Sequence, residues 1–301
     1  MRSRAVVVYR RTELDELLDR HGTRGQAEFF LRTRGRTLDE VQRRHDAAAA
    51  ARAAVAGGLP EGWALAEVER ADLSRFLVAP EDVMVVVGQD GLVANVAKYL
   101  DGQLVIGVDP EPGVNTGVLV RHSAGEALRL LRAPESAAVS GLTTVEARLD
   151  DGQSLCALNE VFVGHPSHQS ARYLLQVGEY RERQSSSGVI VGTGTGATGW
   201  CASIAHDRGG RRLPAPNDAS LAWFVREAWP SPATGANLIE GMLGGSASPG
   251  AVTGGTAELV VTVESDRLVV FGDGIESDRL TASWGQEIRV GVGGRRLRLA
   301  V

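Results

Sequence analysis

Apolar positions fall into two textures along this chain. As far as Pro134, short unbroken apolar runs alternate with stretches whose apolar residues recur at helical spacing. Beyond it, β-prone runs follow one another between Asp-Gly, Gly-Gly and Pro turns. The most uniform run is Val83-Met84-Val85-Val86-Val87, which stops at Gly88-Gln89-Asp90-Gly91. A run of apolar residues dominated by β-branched valine predicts a strand buried on both faces, as in a parallel sheet. Residues 92–100 then carry apolar side chains at helical spacing, so a helix N-terminus points its N–H groups at the turn. The glycines permit a sharp turn and close approach to a ligand. On this stretch alone, an ordinary strand-to-helix turn with Asp90 as a helix cap is the simpler reading.

The remaining elements follow in order. Residues 5–9 predict a strand, and Thr12-Glu13-Leu14-Asp15 has the Thr-x-x-acid spacing that caps a helix. Residues 25–36 form a basic, partly aromatic segment without a clear period. Thr37-Leu38-Asp39-Glu40 repeats the capping pattern ahead of an Ala-rich helix that ends at Gly57-Gly58. Residues 63–68 and 104–108 predict strands, and Ser123-Ala124-Gly125-Glu126 caps a helix over 127–132. Further strands are predicted over 143–149, 155–163, 171–177, 189–191 and 257–263, with hairpin turns at Asp273-Gly274 and Gly293-Gly294. The Gly, Pro, Ala and Ser content of 208–255, including its Trp-bearing stretch 221–229, reads as surface loops. The pattern predicts an α/β N-terminal domain with a parallel sheet over 1–135, and a mostly antiparallel β C-terminal domain over 136–301.

Composition narrows the function classes. A chain of 301 residues, 43% hydrophobic and 23% charged, has room for two domains with cores of their own. A net charge of −5 argues against a general nucleic-acid binder. The two cysteines, Cys156 and Cys201, have neither CxxC nor metal-ligand spacing, which suits a reducing, cytoplasmic setting. No apolar stretch approaches the roughly 20 residues of a membrane span, and no signal peptide is visible, so a membrane partner is not expected.

Candidate chemistry sits in a few places. Gly192-Thr193-Gly194-Thr195-Gly196-Ala197-Thr198-Gly199 is the densest glycine and threonine run. Its Gly194 to Gly199 spell GxGxxG, but the arginines, glycines and prolines that follow do not supply the second parallel strand of a dinucleotide fold. Backbone amides and threonine hydroxyls there suit a ribose or phosphate contact. Asn159-Glu160 puts an amide beside a carboxylate, a pair able to grip two ribose hydroxyls; the plainer alternative is two solvent-facing residues at a strand start. His165 and His168 lack a third ligand and read as surface histidines rather than a metal site. Arg208, Arg211 and Arg212 offer positive charge that is more often solvated than phosphate-bound.

Taken in order, these stretches resemble the NAD kinase family, and its mitochondrial-type branch in particular. Gly88-Gln89-Asp90-Gly91 stands where that family has Gly-Gly-Asp-Gly, and residues 105–110 through Gly117 resemble the strand and glycine loop that follow. Asn159-Glu160-Val161-Phe162 matches its Asn-Glu motif. Ser186-Ser187-Gly188 and Thr193-Gly194-Thr195-Gly196 ahead of Trp200 resemble the branch's Ser-Ser-Gly and Thr-Gly-Thr-Gly stretch, with Val225-Arg226-Glu227 a weaker fourth point.

The resemblance implies the NAD kinase-like two-domain fold with a site in the cleft between domains. It also implies transfer of the γ-phosphate of ATP, with Mg²⁺, to the 2′-hydroxyl of the adenosine ribose of NAD, giving NADP. In that scheme Asp90 is the general base or hydroxyl-orienting group, and Gly88, Gln89 and Gly91 surround the phosphates. Asn159 and Glu160 hold the NAD ribose, while Thr193, Thr195 and Gly196 line the rest of the dinucleotide. No protein-held metal is implied, and a homodimer or larger homo-oligomer is. Two positions depart from the family: Gln89 replaces the second glycine, and Leu92 replaces a threonine. They raise the alternative of a nucleotide-binding protein that has lost phosphoryl transfer. A lipid kinase shares the Gly-Gly-Asp-Gly turn and the two-domain plan, and a Rossmann oxidoreductase is the remaining reading.

Overall fold

The first element is β1 (Arg4–Tyr9), whose central residues Ala5 to Val8 are fully buried. It comes from a computed structural model that describes residues 3–114, 117–210, 212–244 and 258–301. The chain divides into two compact units, Met1–Ser140 together with Arg298–Val301, and Gly141–Leu297.

In the first unit β1 is followed by α1 (Glu13–His21), α2 (Arg24–Arg32), α3 (Leu38–Gly57), β2 (Ala64–Glu69), β3 (Val83–Val87), α4 (Asp90–Ala97), β4 (Leu104–Val108) and α5 (Ala124–Arg132). The strands lie in the order β2-β1-β3-β4 and pair in parallel throughout. Every residue of β3 and β4 is buried, as their unbroken apolar sequences require. Val55 of α3 and Ala127 and Leu131 of α5 cover one face with Val85, Val87, Ile106 and Val108. From β1 the chain passes to β2 on one side, while β3 leads to β4 on the other. The carboxyl ends of β1 and β3 are therefore the point where winding reverses, the position at which open parallel sheets receive ligands.

The helices begin where short polar side chains satisfy their first amides. Thr12 with Asp15, and Ser123 with Glu126, form complete capping boxes, and Thr37 accepts from Glu40 N. The basic segment 25–36 carries a helix that the sequence pattern does not announce. Thr23 caps α2, and Ala27 and Leu31, four residues apart, join Leu14, Leu17, Leu38 and Val41 in a small core of their own. One buried apolar residue per turn suffices because α1 and α3 supply the rest of this core.

The second unit holds β5 (Val139–Leu149), β6 (Ser154–Ala157), β7 (Glu160–Gly164), β8 (Ala171–Val177), β9 (Tyr180–Ser186), β10 (Val189–Gly192), α6 (Trp200–Asp207), β11 (Ser220–Val225), β12 (Glu240–Gly244), β13 (Glu258–Val263), β14 (Arg267–Gly272), β15 (Leu280–Ser283) and β16 (Glu287–Ala300). One antiparallel sheet runs β12-β11-β10-β7-β14-β15; in the other, β16, β13, β8 and β9 are neighbours and β5 joins β6 to β16. Alternate residues, among them Val161, Val163, Val191, Trp223, Tyr173, Leu175 and Val261, share one core. The opposite face of the β10–β11 sheet places Phe162, Ile190, Ala222 and Phe224 under Cys201 and Ala205 of α6. At the end of β16, Arg298 and Leu299, which belong to the first unit, pair in parallel with Leu104 and Val105.

Three expectations need correction, and one strand was not expected. The single strand expected over 155–163 is two strands, β6 and β7, with a corner at Leu158-Asn159. The stretch expected to be loops contains two strands, β11 and β12; β11 is almost wholly buried around Trp223, so its apolar run outweighs the turn-rich surroundings. Residues 245–257 lie outside the described residues, as do Asn115, Thr116 and Arg211. Gly293-Gly294 is not a turn but lies inside the continuous β16, where a Cβ on Gly293 would stand 2.2 Å from Thr144 Oγ1, so glycine lets two strands approach. Finally β9, which carries four charged or amide residues in Tyr180–Ser186, is a strand that its polar sequence hides.

Candidate functional site

In the first unit the site residues gather where β3 ends. Gly88 N donates to Val108 O at 3.0 Å, tying the end of β3 to the end of β4. Gln89 occupies the N-cap position of α4 but makes no side-chain cap, so the first turn of this helix has no acceptor of the kind that Thr or Ser provides elsewhere. Gly91 has open space where a Cβ would stand, while one on Gly88 would sit 3.1 Å from Leu92 Cδ2. Leu92 is buried, and its side chain fills the space behind the turn.

Asp90 is not the helix cap that the simpler reading expects. Its Oδ2 accepts from Val118 N at 2.8 Å, and its Oδ1 from Leu119 N at 2.8 Å and Val120 N at 3.0 Å. One carboxylate thus holds three consecutive amides of the loop after β4. Gly117 and Gly107 make this possible: a Cβ on Gly117 would press on Val120 O at 2.6 Å, and one on Gly107 on Leu119 O at 2.1 Å. A carboxylate offers about four lone-pair directions, so one of them is left for another partner.

In the second unit the corner between β6 and β7 is held from two sides. Leu158 N and Asn159 N donate to the Asp273 carboxylate at 3.1 and 2.7 Å. Leu158 O accepts from Thr193 Oγ1 at 2.6 Å, and Asn159 O from Thr193 N at 2.9 Å. Both N–H and both C=O groups of the corner are thereby satisfied without using the Asn159 or Glu160 side chains. Those two residues are half-buried. Burial pushes the Glu160 carboxyl up to about 7, and the nearby Asp273 charge adds to the effect.

The glycine and threonine run acts on this corner from behind. Thr193 is wholly buried, and besides Leu158 O its hydroxyl meets Thr195 N and Gly196 N at 3.1 and 3.3 Å. Its side chain is therefore a brace, not the exposed ligand contact expected from the sequence. A Cβ on Gly196 would lie 2.3 Å from Asn159 O, one on Gly194 2.0 Å from Ala215 O, and one on Gly192 2.4 Å from Cys201 Sγ. These glycines serve close packing of protein against protein. Thr195 is 8% exposed, and its Oγ1 is buried without a hydrogen-bond partner. Burial, with Glu160 a lesser cause, drives the Cys201 thiol up to about 12, so it is not a nucleophile at neutral pH.

The other candidates separate. Arg208 donates to Ile239 O and Val225 O and pairs with Glu240 at 3.4 Å, which makes it a strand-end fastener. Arg212 is exposed and Arg211 lies outside the described residues. His165 Nδ1 accepts from Ser167 N within its own turn. Among the described residues no three His, Cys, Asp or Glu side chains converge as a metal centre, and no helix is long and apolar enough to cross a membrane. Asp273 was not singled out from the sequence; the Asp-Gly pair reads as an ordinary turn, and only its partners 114 and 115 residues away reveal the connection.

No protein-family model matches the chain, and no curated protein matches its sequence. Among solved structures it resembles that of an NAD kinase from Archaeoglobus fulgidus in complex with ATP, with a TM-score of 0.57 and 16% identity over 99% of this chain and 93% of that one. The two-domain fold of a parallel α/β unit and an antiparallel β unit is thus of the NAD kinase kind.

Proposed function

We propose that this chain is an NAD kinase-like phosphotransferase that moves the γ-phosphoryl group of ATP to the 2′-hydroxyl of the adenosine ribose of NAD. The observation that carries the reading is the start of α4: a helix N-terminus without a side-chain cap, at the winding reversal of a parallel sheet, beside a carboxylate already fixed in place. Such a terminus suits phosphate oxygens through its N–H groups and dipole. In this scheme Asp90 uses its remaining lone pair to orient the ribose hydroxyl and take its proton. The hydroxyl oxygen then bonds to the γ-phosphorus as the bond to the bridging oxygen of ADP breaks.

Asn159 and Glu160 supply donor and acceptor atoms for ribose hydroxyls. Thr193 and Gly196 hold their corner rather than touching the nucleotide, and the Thr195 hydroxyl is buried behind it. Mg²⁺ would enter on the ATP phosphates, whose charge it neutralises. The fold likeness to an ATP-bound NAD kinase supports the nucleotide class.

A second reading, nucleotide binding without transfer, is favoured by Leu92. Its side chain is packed behind Gly88, so that place in the turn offers no hydroxyl. Calorimetric titration of the purified protein with NAD, then with Mg-ATP, tests what the two readings share. Saturable binding of both is expected, and absence of NAD binding would remove both.

A further inference from the structure

We infer that Asp273 is a positioning residue for the Asn159-Glu160 pair, holding the corner that presents both side chains to a nucleotide ribose; the ribose part rests on the function proposed above. Asp273 does three things at once. Its carboxylate takes the two amides of the corner, its own N donates to Glu160 O at 3.0 Å, and it follows directly on Gly272 at the end of β14. Gly272 has no side chain because a Cβ would stand 2.6 Å from Ala157 Cβ and 2.9 Å from Leu155 Cδ2. The end of β14 is therefore seated against β6 and β7, which brings the carboxylate to the corner.

The backbone at Asp273 is itself unusual. Its φ of 54° is left-handed, a conformation that glycine adopts freely and that Asn and Asp tolerate better than other side chains. A turn that only had to reverse the chain would be as well served by glycine, which follows at Gly274 with φ 69°. A carboxylate at this strained position is explained by the two amides it receives.

Charge is the second consequence. Glu160 faces Asp273 from the turn after β14 and Cys201 from α6; β10, its strand neighbour, brings only Gly192 opposite it. Asp273 also faces Cys156 of β6, near Glu146 and Arg295, and burial raises that thiol too. With Asp273 ionised, Glu160 holds its proton to a higher pH than burial alone would cause. The corner amides are thus satisfied by the same group that adds to the effect of burial on the side chain they present.

Two variants separate these roles. Asp273→Asn keeps an acceptor and a residue type suited to positive φ while removing the charge; Asp273→Gly keeps the backbone conformation and removes both acceptor atoms. The Glu160 carboxyl is followed by ¹³C NMR against pH, assigned with Glu160→Gln, and the Leu158 and Asn159 amides by ¹H–¹⁵N spectra. In Asp273→Asn the Glu160 midpoint is expected to fall from near 7 toward the ordinary carboxylate range. In Asp273→Gly both amide signals shift, and NAD affinity drops by about tenfold while Mg-ATP affinity holds, because two donors lose their partner on the ribose side only. A general loss of fold would weaken both ligands alike and overturn the assignment. So would an unmoved Glu160 midpoint, or NAD binding unchanged in both variants. If the parent protein fails to bind NAD while the midpoint and amides still move, the ribose reading falls and the hold of Asp273 on Glu160 stands.

Discussion

Glu160 has a carboxyl pushed from its ordinary 4.5 up to about 7, first by burial and then by Asp273. The folded protein therefore binds a proton at this group more tightly than the unfolded chain does between those two values. Stability contributed by Glu160 is complete below the unfolded value and is lost as pH rises through about 7. Glu160→Gln removes that loss. Relative to the parent, the variant should gain on the order of 1–3 kcal/mol in urea unfolding on going from about pH 5 to about pH 8. A difference between the two proteins that does not vary with pH would contradict the account. Asp90 makes the complementary point at this scale. Its importance was legible as a carboxylate between two glycines, but its hold on Val118, Leu119 and Val120 was not. Those partners lie 28 to 30 residues downstream, and nothing in a local pattern couples them.

Among the elements, those that are self-sufficient in sequence were the legible ones. β3 and β4 are short all-apolar runs, and α1, α3 and α5 begin at Thr or Ser caps, so each announces itself. β11 and α2 depend on neighbours for most of their burial and were hidden by glycine, proline or arginine around them. The Gly192 to Gly196 run was legible as a feature but not in its purpose. Its glycines are required by backbone and sulfur atoms of the protein itself. Gly196→Ala puts a methyl 2.3 Å from Asn159 O and should cost about 1–3 kcal/mol in thermal or urea unfolding. Gly91→Ala, in open space on α4, should be neutral or stabilise by up to about 1 kcal/mol. Equal effects of the two substitutions would show that close packing is not what fixes the glycine at 196.

At the scale of the molecule, the chain divides into two units of different construction, Met1–Ser140 with Arg298–Val301, and Gly141–Leu297. One is a parallel sheet with its helices, the other a pair of antiparallel sheets, and each carries one group of the candidate residues. The parallel order β2-β1-β3-β4 puts the Asp90 turn where winding reverses, a consequence of topology that no single segment contains. The central claim is phosphoryl transfer to the ribose of NAD. It is tested most directly by ³¹P NMR of the purified protein with NAD and Mg-ATP, alongside Asp90→Asn. The account predicts a new 2′-phosphomonoester signal growing with ADP in the parent protein, and a rate at least about 100-fold lower in the variant. Bound NAD with no such signal, or an Asp90→Asn variant that turns over at the parent rate, would contradict it.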